Sequence, residues 1–210
     1  MPRRLRQHVN PLALHRVGIG PGLIAVPGDR PVEVELGCGD GQFLFERAAA
    51  EPCGCYLGVE IRREWVERIR SRQVVSVDAV VANLLSGRAR FAPATVTRFF
   101  INFPDPLFKH RHQRRRWLDA KMAADLCDAL VDGGEIFFQS DVFEPALDAL
   151  AVLEATPGLQ NTAGAWRFAK QNPFSARSRR EAWCETHEVP VWRLLFRKFS
   201  AAAGSGARRG

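Results

Sequence analysis

From Val32 onward, short apolar runs alternate with stretches that are apolar on one side only. Val32–Leu36, Tyr56–Ile61, Ala79–Ala82, Val96–Ile101, Glu135–Ser140 and Val191–Phe196 have the length and composition of buried strands. Between them, Gln42–Ala50, Arg63–Ser71 and Pro145–Leu153 read as helices. Trp117–Val131 carries Leu118, Met122, Leu126 and Leu130 at helical spacing, and Asp132-Gly133-Gly134 is expected to stop it. Strands alternating with helices imply βαβ units, hence an α/β fold with a mostly parallel, doubly wound sheet and helices on both faces.

Before this pattern lies a basic stretch followed by GIGPGLIAVPGD, so residues 1–30 are expected to form an arm. The body is expected over residues 31–199, and SAAAGSGARRG at residues 200–210 has the composition of a disordered tail. A chain of 210 residues suits one such body without disulfides or metal to hold it.

Composition adds a partner class. The net charge is +7 and 30 residues are Lys or Arg, only 4 of them Lys. A basic balance favours an anionic partner, most often nucleic acid, but clustering says more than the total. Lys109, Arg111, Arg114, Arg115 and Arg116 fall within eight residues, interleaved with His110 and His112 and without an acid. The five cysteines form no CxxC pair, which suits reduced thiols in a cytoplasmic protein and no metal site. No apolar run reaches the ~20 residues of a membrane helix. Either a monomer or a homodimer is compatible with the pattern.

Two places carry candidate chemistry. The first is Glu35-Leu36-Gly37-Cys38-Gly39-Asp40-Gly41, between the first strand and the first helix. Glycines there allow a tight turn and close approach of a ligand. A dinucleotide loop uses GxGxxG and seats a pyrophosphate on the helix N-terminus. Here the spacing is GxGxG, with Glu35 before it and Asp40 inside it. Acids at this place suit a cofactor with an amino group, a sulfonium and no phosphate, namely S-adenosylmethionine. Glu60, ending the second strand, could accept hydrogen bonds from both ribose hydroxyls, and Asn83 would lie against adenine.

The second place is Asn102–Arg116, NFPDPLFKHRHQRRR. Pro104 and Pro106 restrict the backbone around Asp105. Asp105 follows the fourth strand, so its carboxylate should face the same crevice as the glycine loop. The basic run that follows opposes a helix dipole if it starts a helix, so phosphate contact explains it better than local structure does.

Together, ELGCGDG, GVE, INFPDPLFKHRHQRRR, QSD at Gln139–Asp141 and SRRE at Ser178–Glu181 resemble the bacterial tRNA (guanine-N7)-methyltransferases, from RRLRQHVNPL to about Lys198. The resemblance implies a Rossmann-like methyltransferase fold with a seven-stranded sheet. It also implies methyl transfer from S-adenosylmethionine to guanine N7 in the tRNA variable loop. By resemblance Glu35, Gly37, Gly39, Gly41, Glu60, Asn83 and Asp105 contact the cofactor, and Asp105 is the catalytic residue. Lys109, Asp141, Ser178, Arg179, Arg180 and Glu181 would contact the substrate. Arg111, His112, Gln113, Arg114, Arg115 and Arg116 would contact RNA. The chain departs from the family's usual residues at Leu107 (usually Trp), Asn83 (commonly Asp) and Ser178 (commonly Thr).

Overall fold

The strand Val32–Leu36 is buried at all five positions although two of them are glutamates. Val34 and Leu36 join the main core with Phe99, Ile101, Ile136 and Phe138. Glu33 and Glu35 turn to the other face, as the two-residue period of a strand requires. The computed structural model describes residues 22–83, 90–105 and 118–199.

The elements are β1 Leu23–Ile24, β2 Val32–Leu36, α1 Gln42–Ala50, β3 Cys55–Glu60, α2 Arg63–Ser71, β4 Val77–Val81, β5 Arg90–Phe91, β6 Val96–Asn102, α3 Ala120–Ala129, β7 Leu130–Ser140, α4 Phe143–Glu154, β8 Leu159–Asn161, α5 Arg179–Thr186 and β9 Trp192–Lys198. Seven strands form one sheet in the order β4-β3-β2-β6-β7-β9-β8, and β1 pairs separately with β5. The pairs from β4 through β7 are parallel, whereas β9 runs antiparallel to β7 and to β8. Helices cover both faces. Residues of α1 and α2 pack with Tyr56, Val77 and Ala79; those of α3 and α4 pack with the main core.

On the α1 side the sheet carries three successive rows. The first is ionic: Glu33, Arg98, Glu135 and Arg197 are register partners across β2, β6, β7 and β9. Arg98 Nε donates to Glu135 at 2.9 Å, and Arg197 Nη2 does so at 2.7 Å. Arg98 also pairs with Glu33, which receives two hydrogen bonds at 2.8 Å from Arg47 of α1. The second row is aromatic: Phe100 and Phe137 pack edge-on against each other and against Phe174. The third is polar, with Asn102, Gln139 and Arg193 in register. This row lies at the carboxyl end of the parallel strands and opens toward the site.

Two expectations change. The expected helix over Trp117–Val131 runs only from Ala120 to Ala129, and Trp117 lies outside the described residues. Asp119 caps it by accepting from Met122 N at 2.8 Å, so the helix starts on an acid, as the dipole favours. Asp132-Gly133-Gly134 does not separate helix from strand. β7 already begins at Leu130 and absorbs the glycines at a register shift opposite Val96 and Arg98. Ile24, inside the stretch assigned to the arm, is buried in the main core. Residues 1–21 and the expected tail at 200–210 lie outside the described residues.

Candidate active site

Strand order reverses between β2 and β6, so the crevice of this sheet opens there. Glu35 of β2 and Asn102 of β6 meet across it, with Asn102 Nδ2 donating to Glu35 Oε1 at 2.9 Å. Glu35 is 3% exposed, and its Oε2 is buried without a partner among the described residues. Burial pushes its carboxyl up to about 8; the Asn102 hydrogen bond opposes this, and the charges of Asp40 and Glu60 add to it. Burial and the charges of Glu35 and Glu60 also push the neighbouring Cys38 thiol well up, so it stays protonated.

The loop after β2 turns through left-handed backbone at Gly37, Gly39 and Gly41, with φ of 80°, 55° and 75°. A Cβ at Gly37 or Gly39 would meet nothing within 4 Å. The space above the loop is therefore open to a ligand. Gly37 and Cys38 donate their N–H groups to Val59 O, tying the loop to β3.

Glu60 ends β3 and is 3% exposed. Its Oε2 accepts from Gly39 N at 3.0 Å and from Arg62 Nη2 at 3.1 Å. Its Oε1 accepts from Arg62 N at 3.0 Å and from Arg62 Nε at 2.9 Å. The carboxylate expected to meet a ribose is thus covered by the Arg62 guanidinium. Asn83 is buried just past β4. Asp105 is exposed, beyond the end of β6. The chain leaves that strand through Phe103, whose φ of 49° is strained for a residue with a side chain. Phe103 N donates to Gln139 O at 2.8 Å, which fixes the bend that precedes Pro104 and Asp105.

Glu35, Glu60, Asn83 and Asp105 therefore stand at or just beyond the carboxyl ends of four adjacent strands, and Asp141 follows the fifth. The residues expected on the substrate side are tied into the protein. Ser178 caps α5 by accepting from Glu181 N at 3.2 Å. Arg179 bridges to Asp40 of the glycine loop at 2.8 Å. Arg180 pairs with Asp141 and lies 4.3 Å from the centroid of the Trp183 ring. The hydrogen bond that Arg180 donates to Asp141 raises its guanidinium further above its usual value. Glu181 is fully buried, accepting from Gln139, Asn172 and Arg193. Lys109, Leu107 and the segment Arg111–Arg116 lie outside the described residues.

Asn102, Gln139, Arg62 and Arg193 were not singled out from the sequence. Asn102 and Gln139 had a usable signal, being polar at the inward period of otherwise apolar strands. S-x-x-E at Ser178–Glu181 is a capping-box pattern that marks the start of α5. Among the described residues no His, Cys, Asp or Glu cluster could hold a metal, and no helix is long and apolar enough to cross a membrane.

The orphaned Glu35 oxygen, the open space over two glycines and the absence of a GxGxxG pyrophosphate seat fit S-adenosylmethionine. Fold and site define a class I methyltransferase that uses this cofactor. Residues 29–194 match the model of a family described as "Putative methyltransferase". The chain is 36% identical over 205 residues to a tRNA (guanine-N(7)-)-methyltransferase of Synechococcus elongatus, spanning 92% of this chain and 95% of the relative. It is 31% identical over 209 residues to one from Trichormus variabilis, spanning 94% and 97%. The chain belongs to the tRNA (guanine-N7)-methyltransferase family. Solved structures with the same fold include the 16S rRNA methyltransferase KamB, with a TM-score of 0.60 and 12% identity over 81% of this chain and 88% of that one. Another is an S-adenosylmethionine-dependent methyltransferase from Mesorhizobium loti, with a TM-score of 0.54 and 16% identity over 82% and 94%.

Proposed function

We propose that the protein methylates N7 of a guanine in the variable loop of tRNA, in the cytoplasm where tRNA is found. The observation that carries this reading is the similarity to the tRNA (guanine-N(7)-)-methyltransferases over nearly the whole chain, together with acids at the ends of adjacent strands. Bound S-adenosylmethionine supplies a methyl group activated on a sulfonium, and guanine N7 offers an in-plane lone pair that can accept it without first losing a proton.

Glu35 and the glycine loop hold the cofactor's amino-acid end. Glu60 takes the ribose hydroxyls once Arg62 has moved aside, and Asn83 lies against the adenine. Asp105 accepts hydrogen bonds from guanine N1–H and N2–H₂, an edge that adenine lacks. Its negative charge offsets the positive charge that develops on the ring. Asp105 therefore orients and stabilises and does not act as a base. Lys109 and Arg111–Arg116 bind the RNA backbone, with His112 and Gln113 as polar neighbours. Asp141, with Arg180, lies beside the guanine, and Arg179 with Ser178 closes the glycine-loop side.

The test is transfer of labelled methyl from S-adenosylmethionine to a tRNA pool, followed by nucleoside analysis. Label in 7-methylguanosine is the expected result; label in another nucleoside, or none, sinks the proposal.

A further inference from the structure

Four side chains, the half-buried Asn102 and the buried Glu35, Gln139 and Glu181, run in single file from the cofactor edge into the protein. Asn102 donates to Glu35, Gln139 Nε2 donates to Asn102 Oδ1 at 2.9 Å, and the same nitrogen donates to Glu181 Oε2 at 2.9 Å. Gln139 and Glu181 are both 0% exposed. The order of donors in this file is dictated from the far end. An ionised carboxylate only accepts, so Glu181 makes Gln139 present its amide nitrogen. The second hydrogen on that nitrogen goes to Asn102 Oδ1, which leaves Asn102 Nδ2 to face Glu35. Gln139 Oε1 is left buried without a partner among the described residues. That is the cost of holding both amides in one direction.

Glu181 needs no substrate to account for it. Its charge is balanced by Arg193 at 2.9 Å, and Asn172 Nδ2 donates to both of its oxygens at 3.1 and 3.0 Å. It sits in the first turn of α5, where a negative charge is favoured.

We propose that Glu181 is a positioning residue for cofactor binding: through the amides of Gln139 and Asn102 it aims a hydrogen-bond donor at one oxygen of Glu35 and reserves the other for the cofactor's amino group. This rests on the assignment of Glu35 to that amino group. The isosteric change Glu181→Gln inverts the file. Arg193 and Asn172 hold the new carbonyl, so the new amide nitrogen faces Gln139. Gln139 must answer with its oxygen, Asn102 turns over, and a carbonyl comes to lie against Glu35.

The experiment is calorimetric titration with S-adenosylhomocysteine, from pH 6.5 to 8.5, of the unaltered protein, Glu35→Gln, Glu181→Gln, Gln139→Leu and the last two combined. Glu181→Gln is expected to weaken binding about tenfold, the worth of one hydrogen bond to a charged group. Its affinity-against-pH curve should move upward in pH. Gln139→Leu keeps Glu181 and cuts the file. It should weaken binding similarly, and the double variant should bind no worse than Gln139→Leu alone. A residue that merely held α5 in place would lower the melting temperature without moving the pH curve. If Glu35→Gln weakens binding while Glu181→Gln or Gln139→Leu matches the unaltered protein, the relay is wrong and the cofactor site stands. If Glu35→Gln has no effect, both fall. Should Glu181→Gln fail to fold, Gln139→Leu decides alone: unaltered affinity overturns the relay.

Discussion

Arg62 and Glu60 satisfy each other in a way that mirrors a ribose. Each Glu60 oxygen accepts one backbone N–H, from Gly39 or Arg62, and one guanidinium N–H from the Arg62 side chain. Remove the guanidinium and one acceptor site opens on each oxygen, matching the two ribose hydroxyls in number. The guanidinium has somewhere to go, since its carbon already lies 5.4 Å from the centroid of the Trp65 ring. Arg62→Ala should therefore tighten S-adenosylhomocysteine binding about fivefold, in keeping with roughly 1 kcal/mol for a partly exposed pair. Glu60→Gln should loosen it. Calorimetry on both variants checks this, and weaker binding by Arg62→Ala would mean that the guanidinium contacts the cofactor.

Cofactor affinity should depend on pH through Glu35. Its carboxyl is raised by burial to about 8. Asp40, Glu60 and the Cys38 thiol face it along with Asn102, and Arg62 is the nearby cation. The cofactor's cationic amino group requires the ionised form. Below about pH 8 binding must expel a proton, so affinity falls by up to about tenfold per pH unit. Stability of the free protein runs the opposite way. The folded state holds this proton from the ordinary glutamate value of about 4.3 upward, so this group's contribution falls as pH rises from there to its folded value. Glu35→Gln should flatten both profiles, read by calorimetry and by thermal melts.

Much of this site could be read from the chain because strand ends are local. An apolar run followed by a glycine loop, an acid or a proline turn places Glu35, Glu60, Asn83 and Asp105 on one edge without any knowledge of packing. The commitments of the side chains were not legible, because they are made across long separations. Gln139 meets Asn102 across 37 residues and Glu181 across 42. Glu181 is quoted in the sequence beside three exposed-looking neighbours, and only the fold shows it fully buried. Helix α5 is hard to read from the sequence because its capping serine sits inside a basic run. In β7 two glycines look like a stop in the sequence, yet they sit within the strand at a register shift.

The ionic row across β2, β6, β7 and β9 should govern stability unevenly. Arg98 lies between Glu33 and Glu135, and all three are largely buried. Arg98→Met leaves two carboxylates short of a partner and should cost about 3 kcal/mol. Arg197, 59% exposed at the end of the row, should cost under about 1 kcal/mol when changed to Met. Urea unfolding separates the two. Burial alone would raise the Glu135 carboxyl, but hydrogen bonds from Arg197 and Arg98 outweigh it and hold the carboxyl below its usual value. The stability it contributes is present above about pH 4.3 and is lost as pH falls through the folded value. Arg98→Met should therefore also unfold at higher pH in an acid titration.

Asp105 and the basic run should separate in kinetics. Asp105→Ala is expected to lower kcat by about 10² to 10³, the usual cost of removing a preorganised electrostatic group, with little change in tRNA affinity. Because no proton leaves guanine before methyl transfer, Asp105→Asn should not recover by raising the pH, as a missing base partly replaced by hydroxide would. Replacing Arg114 and Arg115 together by Ala should do the reverse. Turnover at saturating tRNA should hold, while binding weakens and the slope of log K against log salt flattens by about 1.4 to 1.8, or roughly 0.7 to 0.9 per charge. An unchanged slope would make the run a solvated surface, and the tRNA would then have to be held by Arg177, Arg179 and Arg180 around the start of α5. All three are already paired, Arg177 with Glu185, Arg179 with Asp40 and Arg180 with Asp141, so each has less charge to offer a phosphate than an unpaired arginine has.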